Sequence, residues 1–388
     1  MTSSGAPGER ARHLGAADLA LALQDSRART LRLFQAYQHA LGPTLAVPQH
    51  PELNPPLWEL GHIGWFADWW LARNPQRLLG TQADPDAART PARQAQRGVD
   101  ADALYNSSLV PHASRWTLPL PSVAQTLDDL QAQLSDSLAL LKHTADTDTG
   151  LYFHRLVLLH EDMHAEAAVY MAQALGFDPG DDLSHTLFAP QAAPTALAVP
   201  EHTVTLGMGN TGFAFDNELA AAPTHVPAFR IDSHALRWAE LLPCIEAGAM
   251  PVPRHLRHSA QGWQVQRWGR WQALKPHTTA CHLSAHDAQA WCRWAGRRLP
   301  TEAEWLAASA HPGFVWGSVW EWTSSPFAPF AGFVPHPYRD YSAPWFDGRP
   351  VLKGASAATH PRLRHPQYRN YFTPERSDIL AGLRTVAA

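Results

Sequence analysis

Cysteine is scarce in this sequence. Among 388 residues there are three cysteines, Cys244, Cys281 and Cys292, and no two of them form a CxxC pair. An odd number of scattered thiols argues against a disulfide framework, and the missing CxxC pairs argue against a thiolate zinc site. We therefore expect buried free thiols, which pack as small hydrophobic side chains.

The chain also lacks a strong charge and long apolar runs. Its formal net charge is −4, so it has no basic field that would attract nucleic acid. No apolar run reaches the ~18 residues that a membrane span needs. The N-terminal stretch MTSSGAPGERARHLG has no apolar segment typical of a secretory signal. These absences predict a cytoplasmic protein with neither a nucleic-acid nor a membrane partner.

Histidine and tryptophan, in contrast, are abundant. The chain contains 22 His and 16 Trp, and 45% of its residues are hydrophobic, which is typical of a globular chain with a real core. Its length suits two or three domains of roughly 150 residues each. The many Trp residues favour aromatic loops around a pocket, whereas the number of His residues singles out none of them.

Apolar residues recur at helical spacing through the first half of the chain. The pattern predicts four helices, from Ala16 to about Leu41, from near Asn54, from Ser122 to His143, and from about Thr149 to Leu175. With a long crossover between the second and third, these helices predict a four-helix bundle. We predict that the bundle spans residues 15–180 and follows a disordered lead over residues 1–14.

The second half of the chain has a different texture. After a Pro/Ala-rich linker over residues 181–200, short strands, Gly/Pro turns and isolated aromatics dominate residues 201–388. Helical segments are predicted from Ser284 to Arg297 and directly after Pro300. The pattern of this half therefore predicts an irregular α+β domain with many loop residues.

Candidate metal ligands lie in the second and fourth predicted helices. His160 and His164 are four residues apart and so project from one face of the fourth helix, while His62 lies in the almost wholly apolar second helix. Facing helices of a bundle commonly build metal sites, and three imidazoles leave positions open for a substrate or dioxygen. Imidazole suits zinc, iron, copper and nickel alike. Taken alone, each histidine also suits a buried structural role.

Glu166 lies two residues beyond His164 and points about 200° around the helix from it. We therefore expect Glu166 to support the site or the fold and not to bind a metal beside the histidines.

Several motifs, in order along the chain, resemble a known enzyme family. GHIGWF around His62 and HEDMHAE from His160 resemble the DinB-type bundle of the ergothioneine-pathway sulfoxide synthases. The second half is similar to the formylglycine-generating-enzyme fold that these enzymes carry. The stretches that carry this second likeness are FAFDNE, VPAFRID, GRRLPTEAEW, VWEWTSSPF and YRNYFTPERSDILAGLR.

The resemblance implies a mononuclear non-haem iron(II) enzyme that uses dioxygen. Such an enzyme joins a chalcogen to C2 of the imidazole of hercynine, the Nα-trimethylated betaine of histidine. The implied iron ligands are His62, His160 and His164. The PYRDYS stretch supplies the implied catalytic tyrosines, Tyr338 and Tyr341, with Tyr338 as the proton and electron donor.

The resemblance also implies where hercynine is bound. The RN-aromatic segment, which holds the hercynine carboxylate in the family, falls on Arg369, Asn370 and Tyr371. Phe372 follows, at a position where some members use an Asp for the amine of the donor. Met163 replaces a substrate-contacting Gln of the common HEQQHQE helix and offers a softer, apolar surface.

The departures from the family pattern concern the second substrate. Sulfur-using members carry an RP-x-RG-x-L stretch whose Arg binds the carboxylate of the thiol substrate, but ALYNSSLVPHASRWTLPLP here lacks it and Arg115 is the cation nearby. The NPPLWELGHIGWF and DALYNSS stretches resemble the selenoneine-synthase subgroup, which implies a selenosugar donor, 1-seleno-β-D-glucose.

Three alternatives remain open at this level. The first is a sulfoxide synthase that uses cysteine, γ-glutamylcysteine or another thiol, and the second is a DinB-type thiol transferase with zinc or nickel. The third is a non-catalytic ligand-binding module. We expect small-molecule substrates and a monomer or weak homo-oligomer.

Overall fold

Helices dominate the first half of the protein. The computed structural model describes residues 6–181, 183 and 187–388. The helices of this half are α1 (Pro7–Arg12), α2 (Ala16–Leu41), α3 (Pro56–Trp70), α4 (Ala101–Tyr105), α5 (Val123–Leu141) and α6 (Asp148–Leu175). The four predicted long helices are thus present, with ends that differ from the prediction by a few residues.

Local sequence explains where the long helices begin and end. Ser122 and Gln125 form a capping box at the start of α5, and the Thr147 hydroxyl accepts from the backbone N–H of Gly150 at the start of α6. Gly176 ends α6 in the left-handed region, at φ 84°, which a residue without Cβ adopts at no steric cost.

The long helices pack on one another, and α6 contacts the other three, α2, α3 and α5. Helix α3 also packs on α5. Nearly every residue of α3 is buried, as its apolar sequence predicts. The assignment of this half to the DinB type, and the domain boundaries drawn from the sequence, stay predictions.

Ion pairs hold the long connection between α3 and α5 in place. Arg73 pairs with Asp102 in α4 at 2.7 Å, and Arg93 pairs with the buried Asp68 of α3 at 2.8 Å. Short 3-10 turns fill much of the remainder. The connection therefore forms a fixed wall beside α3.

The second half contains short strands and short helices. Its helices are α7 (Trp238–Glu246), α8 (Ala285–Ala295) and α9 (Glu302–Ser309). Its strands are β1 (Ala196–Val199), β2 (His202–Leu206), β3 (Ala222–Val226), β4 (Phe229–Asp232), β5 (Leu256–Ser259), β6 (Gly262–Arg267), β7 (Arg270–Ala273), β8 (Arg297–Arg298), β9 (Trp320–Pro326), β10 (Pro350–Gly354), β11 (Asn370–Tyr371), β12 (Ala381–Gly382) and β13 (Val386–Ala387).

These strands form small sheets. Two four-stranded sheets have the orders β1-β4-β13-β8 and β11-β10-β9-β12, and β2-β3 and β5-β6-β7 form smaller ones. The pairing is antiparallel except between β9 and β12, where Trp320 lies opposite Ala381 and Glu321 opposite Gly382. Strand β11 therefore brings Asn370 and Tyr371 to the edge of a sheet whose other strands are largely buried.

Two sequence expectations are corrected by the fold. Residues 1–14 were expected to be a disordered lead, but Pro7–Arg12 form α1; residues 1–5 lie outside the described residues. The 181–200 linker contains β1, which pairs with β4, while residues 182 and 184–186 are outside the description. Both expectations relied on local composition, whereas long-range contacts decide these segments.

Helix α1 packs against the second half of the chain. Both terminal nitrogens of the Arg12 guanidinium bind the Glu218 carboxylate, at 2.7 and 2.8 Å, in a pair whose side chains are 2% and 0% exposed. Arg12 also donates to the carbonyl of Phe213, and Glu9 accepts from His365 at 2.7 Å. The sequence before α2 is thus tied to residues more than half the chain away.

Candidate functional site

The three predicted histidines meet at the centre of the molecule. Nitrogen atoms of His62 on α3 and of His160 and His164 on α6 all lie within 4.8 Å of one another. The Nε2 atoms of His160 and His164 are 3.2 Å apart. Over the described ranges, no other set of three or more His, Cys, Asp or Glu side chains converges in this way.

The protein fixes the orientation of His62 through a backbone carbonyl. Nδ1 of His62 donates to the carbonyl of Tyr105 at 2.8 Å, so Nε2 carries the free lone pair in the neutral ring. Gly61 makes this approach possible, because a Cβ atom there would lie 2.2 Å from the Tyr105 ring. The absence of a side chain at Gly61 is thus what allows Tyr105 to pack close to His62.

A buried carboxylate orients His164. Nδ1 of His164 donates to Glu59 at 2.5 Å, and Glu59 in turn accepts from Asn54 at 2.5 Å. Burial alone would raise the pKa of Glu59, but the charge and hydrogen bond of His164 hold it at about 2. The sequence prediction missed Glu59, although a carboxylate one turn before His62 in an apolar helix was an available signal.

The electrostatics of the cluster keep the imidazoles of His62 and His160 neutral. Burial, reinforced by the charge of His164, lowers the pKa of His62 to about 3 and takes that of His160 well below its ordinary value. Neutral imidazoles with bare Nε2 atoms are the form that binds a metal ion. The three imidazoles therefore fit a metal ion held by nitrogen ligands. The histidines also line an open cavity, described below, through which a substrate could reach such a metal.

Phe66 and Tyr338 close one side of the cluster. The Phe66 ring stacks on His160, with centroids 3.5 Å apart and planes 4° apart. Tyr338 packs edge-on against Phe66 at 4.9 Å and lies 6.4 Å from the His160 ring. Burial raises the pKa of the Tyr338 phenol, so it is a neutral proton donor at pH 7.

Tyr341 lies beside Tyr338, with their ring centroids 5.8 Å apart. Its ring stacks on Phe215, and its hydroxyl is 2.9 Å from that of Tyr368. Both predicted tyrosines line the same open cavity of about 270 Å³ as the histidines. We refer to this space as the central cavity.

A second cavity of about 130 Å³ adjoins the central one through Met163 and Tyr170, which line both. We refer to it as the betaine-side cavity. Of the predicted substrate residues, Met163, Asn370 and Phe372 line it. Sulfur of Met163 accepts a hydrogen bond from the hydroxyl of Tyr368 at 3.2 Å, so this Met packs against a polar group.

Two predicted substrate residues lie outside the walls of these cavities. Arg369 is buried, binds Glu302 at 3.0 Å and donates to the carbonyl of Asn217 at 2.9 Å. Tyr371 stacks on Phe327 at 4.0 Å and donates its hydroxyl to the carbonyl of Tyr341. Side chains alternate between the two faces of a strand, so Arg369 and Tyr371 lie on the face opposite to that of Asn370 and Phe372. Arg369 and Tyr371 therefore contact protein groups and not the cavity.

Glu166 joins the two halves of the molecule, in line with the supporting role expected for it. It accepts from the indole N–H of Trp320 at 2.7 Å and from the hydroxyl of Ser356 at 2.5 Å, and it also lines the betaine-side cavity. The helix that carries His160 and His164 is thereby fixed to β9 and the segment after β10. Neither partner is recognisable from sequence spacing.

None of the described helices combines enough length with enough hydropathy to span a bilayer. Arg369 and Arg384 are buried in ion pairs with Glu302 and Glu321.

Comparisons with known proteins agree with this architecture. Residues 186–316 match the family described as the sulfatase-modifying factor enzyme 1-like domain. The hercynine oxygenase of Mycolicibacterium smegmatis is 30% identical over 96% of this chain and 98% of its own length. That of Mycobacterium tuberculosis is 30% identical over 94% and 97%. A formylglycine-generating enzyme of Thermomonospora curvata is 29% identical over 25% of this chain and 35% of its own.

The match to the hercynine oxygenases runs through both halves of the protein, the helices that carry the histidines and the strand-rich half that covers them. Because 30% identity extends over almost the full length of both partners, the chain belongs to the hercynine oxygenase family and carries a sulfatase-modifying-factor-like domain in its second half.

Proposed function

We propose that the protein is a dioxygen-dependent, iron(II)-containing enzyme that joins selenium of a selenosugar, 1-seleno-β-D-glucose, to C2 of the imidazole of hercynine. The observation that carries this proposal is the convergence of three imidazoles on a cavity lined by two tyrosines. The relatives' printed name, hercynine oxygenase, supports the choice of hercynine and of an oxygen-using reaction.

His62, His160 and His164 would hold the iron, which when bound supplies the site at which dioxygen and the selenol are activated. Hydrogen bonds to Tyr105 and Glu59 fix two of the rings before the metal arrives. The overall reaction balances when hercynine C2–H, the selenol and dioxygen give a C2-linked selenoxide and one water.

Tyr338 would deliver a proton at its phenolic oxygen. Its raised pKa keeps that proton in place at neutral pH, and its position 6.4 Å from the His160 ring sets it at the edge of the reacting centre. Tyr341 would assist this proton transfer less directly, because its hydroxyl is hydrogen-bonded to the hydroxyl of Tyr368.

Hercynine would occupy the betaine-side cavity. Aromatic rings of Tyr170, Trp320, Tyr368 and Phe372 surround it, and such faces favour a trimethylammonium group. The Glu166 carboxylate adds negative charge, and the Asn370 amide suits the hercynine carboxylate. Arg369 and Tyr371 would act by holding this segment and Tyr341 in place, not by contact with hercynine.

A second candidate is the same enzyme type with a thiol donor that carries a carboxylate, such as cysteine or γ-glutamylcysteine. Arg115 favours it, since this side chain lines the central cavity and its buried Nε has no hydrogen-bond partner within the described residues. Against it, both terminal nitrogens of Arg115 already donate to protein oxygens, including Asn54 at 2.7 Å.

Product masses after incubation with iron(II), hercynine and dioxygen would decide between these candidates. The donors are 1-seleno-β-D-glucose, 1-thio-β-D-glucose, cysteine and γ-glutamylcysteine, and oxygen consumption is followed in parallel. We expect a C2-linked selenoxide with the selenosugar. Turnover only with γ-glutamylcysteine would establish the second candidate, and turnover without oxygen consumption would point to a metal-dependent thiol transferase.

A further inference from the structure

A third cavity, of about 230 Å³, shares no lining residue with the betaine-side cavity. Its floor is aromatic and its rim carries short polar side chains. The floor is formed by Trp65, Phe66, Trp69 and Trp70 of α3, and the rim includes Asn106, Ser107, Ser108 and Asp340. We refer to it as the tryptophan cavity.

The tryptophan cavity adjoins the central cavity. Ser107 and Tyr338 line both it and the central cavity, whereas Met163 and Tyr170 connect the central cavity to the betaine side. Phe66, in its floor, is the ring that stacks on His160. A molecule here and a molecule in the betaine-side cavity would therefore meet the central cavity at different wall residues.

The aromatic floor is held rigidly. The indole N–H of Trp65 donates to Asp102 at 2.6 Å, and the same carboxylate binds Arg73 through both of its oxygens. The guanidinium groups of Arg73 and Arg89 lie over the Trp69 ring at 5.2 and 4.9 Å. Rings that are fixed before binding cost little ordering entropy when a ligand settles on them.

The charges of the lining favour a neutral ligand. Arg339 is the cation among the described lining residues, and it is paired with Asp86 at 2.6 Å. Asp340 has no cationic partner among the described residues and accepts from the hydroxyl of Ser108 at 2.7 Å. Because the described rim carries a carboxylate without a cationic partner and no unpaired cation, it would repel the carboxylate of an amino acid but accept hydrogen bonds from hydroxyl groups.

We propose that the tryptophan cavity binds the sugar ring of the chalcogen donor, with the apolar face of the pyranose on the tryptophan floor and its hydroxyls on Asn106, Ser107 and Asp340. Flat apolar walls with a few convergent polar groups are the usual composition of a small-molecule site. This assignment rests on the proposed function, because it places the donor's selenium toward the central cavity and leaves the betaine-side cavity to hercynine.

The test uses the full-length, iron(II)-loaded protein and two readouts. The first is the KM for each substrate, and the second is calorimetric binding of methyl β-D-glucopyranoside, which has no selenium and cannot react. Trp69→Ala removes part of the floor, Trp69→Phe keeps an aromatic ring there, and Asp340→Asn changes the rim. Trp294→Ala, at a tryptophan that is 44% exposed and outside the cavity lining, is the matched control.

We expect Trp69→Ala to raise the KM for the selenosugar at least about tenfold and to weaken glucoside binding by a similar factor. The KM for hercynine should not change, Trp69→Phe should restore most of the loss, and Trp294→Ala should behave as the unchanged protein. Asp340→Asn should give a smaller rise in the same KM.

Failure of the cavity assignment is distinguishable from failure of the proposed function. Unchanged selenosugar KM in folded Trp69→Ala would overturn the assignment while the function stands. Glucoside binding that depends on Trp69, in a protein that does not turn over the selenosugar, would support the assignment and overturn the function. A Trp69→Ala variant that loses only cysteine or γ-glutamylcysteine turnover would overturn the sugar assignment.

Discussion

The histidines and the tyrosines of the site are held in different ways. His62, His160 and His164 lie within α3 and α6, which are long, mostly buried and packed on each other. Tyr338 and Tyr341 lie in an irregular segment with short 3-10 turns, and their neighbours Arg339 and Asp340 are exposed.

This difference separates two requirements of the site. A metal needs ligand atoms fixed to within a fraction of an ångström, which helices with buried support provide. Substrate recognition varies among related enzymes, and loops accept such variation more readily than packed helices do. We therefore expect changes of the three histidines and of the groups that orient them to act on metal binding, and changes of the loop tyrosines to act on turnover.

Removal of a helix-borne ligand should have the largest effect. In His160→Ala we expect stoichiometric iron binding to be lost and turnover to fall to background, because two imidazoles remain from a set of three. Iron per chain after dialysis and product mass are the measurements. His143→Ala, at an exposed histidine beyond the end of α5, is the control. Full iron binding in His160→Ala would contradict the role of the helix-borne histidines in holding the metal.

The loop side is tested by Tyr338→Phe, which removes only the phenolic oxygen. We expect the coupled product to form about 10²–10⁴-fold more slowly, as for loss of a positioned proton donor, with iron content unchanged. Rapid-quench product analysis alongside iron determination measures both. Tyr341→Phe should have a smaller effect, since its hydroxyl is bonded to Tyr368. A Tyr338→Phe enzyme with full turnover would remove this residue from the mechanism.

The support of the helix ligands is tested by Glu59→Gln, which keeps the shape of the side chain but removes its charge. We expect iron(II) to bind roughly 10–100-fold more weakly, because His164 loses the carboxylate that orients it. Competition with a chelator measures the affinity. Glu52→Gln, at a carboxylate paired with Arg254 near the surface, is the matched control and should leave the affinity unchanged. Equal affinities in the two variants would contradict the role of Glu59.

Two glycines of α3 give the smallest and most local test. Gly61→Ala would place a Cβ atom 2.2 Å from the Tyr105 ring, so we expect a loss of about 1–3 kcal/mol in the free energy of unfolding. Gly64→Ala meets only the end of the Leu130 side chain, at 3.1 Å, and gains about 1 kcal/mol of helix propensity. Urea denaturation of both variants compares them, and equal stabilities would refute the steric reason given for Gly61.

Sequence reasoning predicted the helical part of the site better than the rest. Regular apolar spacing located the helices that carry His62 and His160, and the i, i+4 spacing put His160 and His164 on one face. Glu59 and Tyr105 were missed, because an orienting hydrogen bond depends on how separate elements pack and not on spacing along one helix.

Prediction was weaker where long-range contacts decide the structure. The family resemblance implies that Arg369 helps to hold the hercynine carboxylate; in the structure Arg369 pairs with Glu302, 67 positions away, a contact that the sequence does not indicate. Helix α7 was not predicted, and it contains a proline, Pro243, that argues against a helix on local grounds. Helix α1 was missed for the same reason, since its stability comes from Glu218 and His365 and not from its own short sequence.

The docking of α1 has a consequence for the order in which the protein assembles during synthesis. Arg12 leaves the ribosome early, but its partner Glu218 follows 206 residues later, a delay of roughly 10–40 s at ordinary elongation rates. Helices α2 to α6, with all three histidines, are complete within that interval. The nascent chain therefore contains all three histidines before the Arg12–Glu218 pair forms. An iron ion that bound to them at that stage would bind before the second half of the protein, which covers these histidines, has been synthesised.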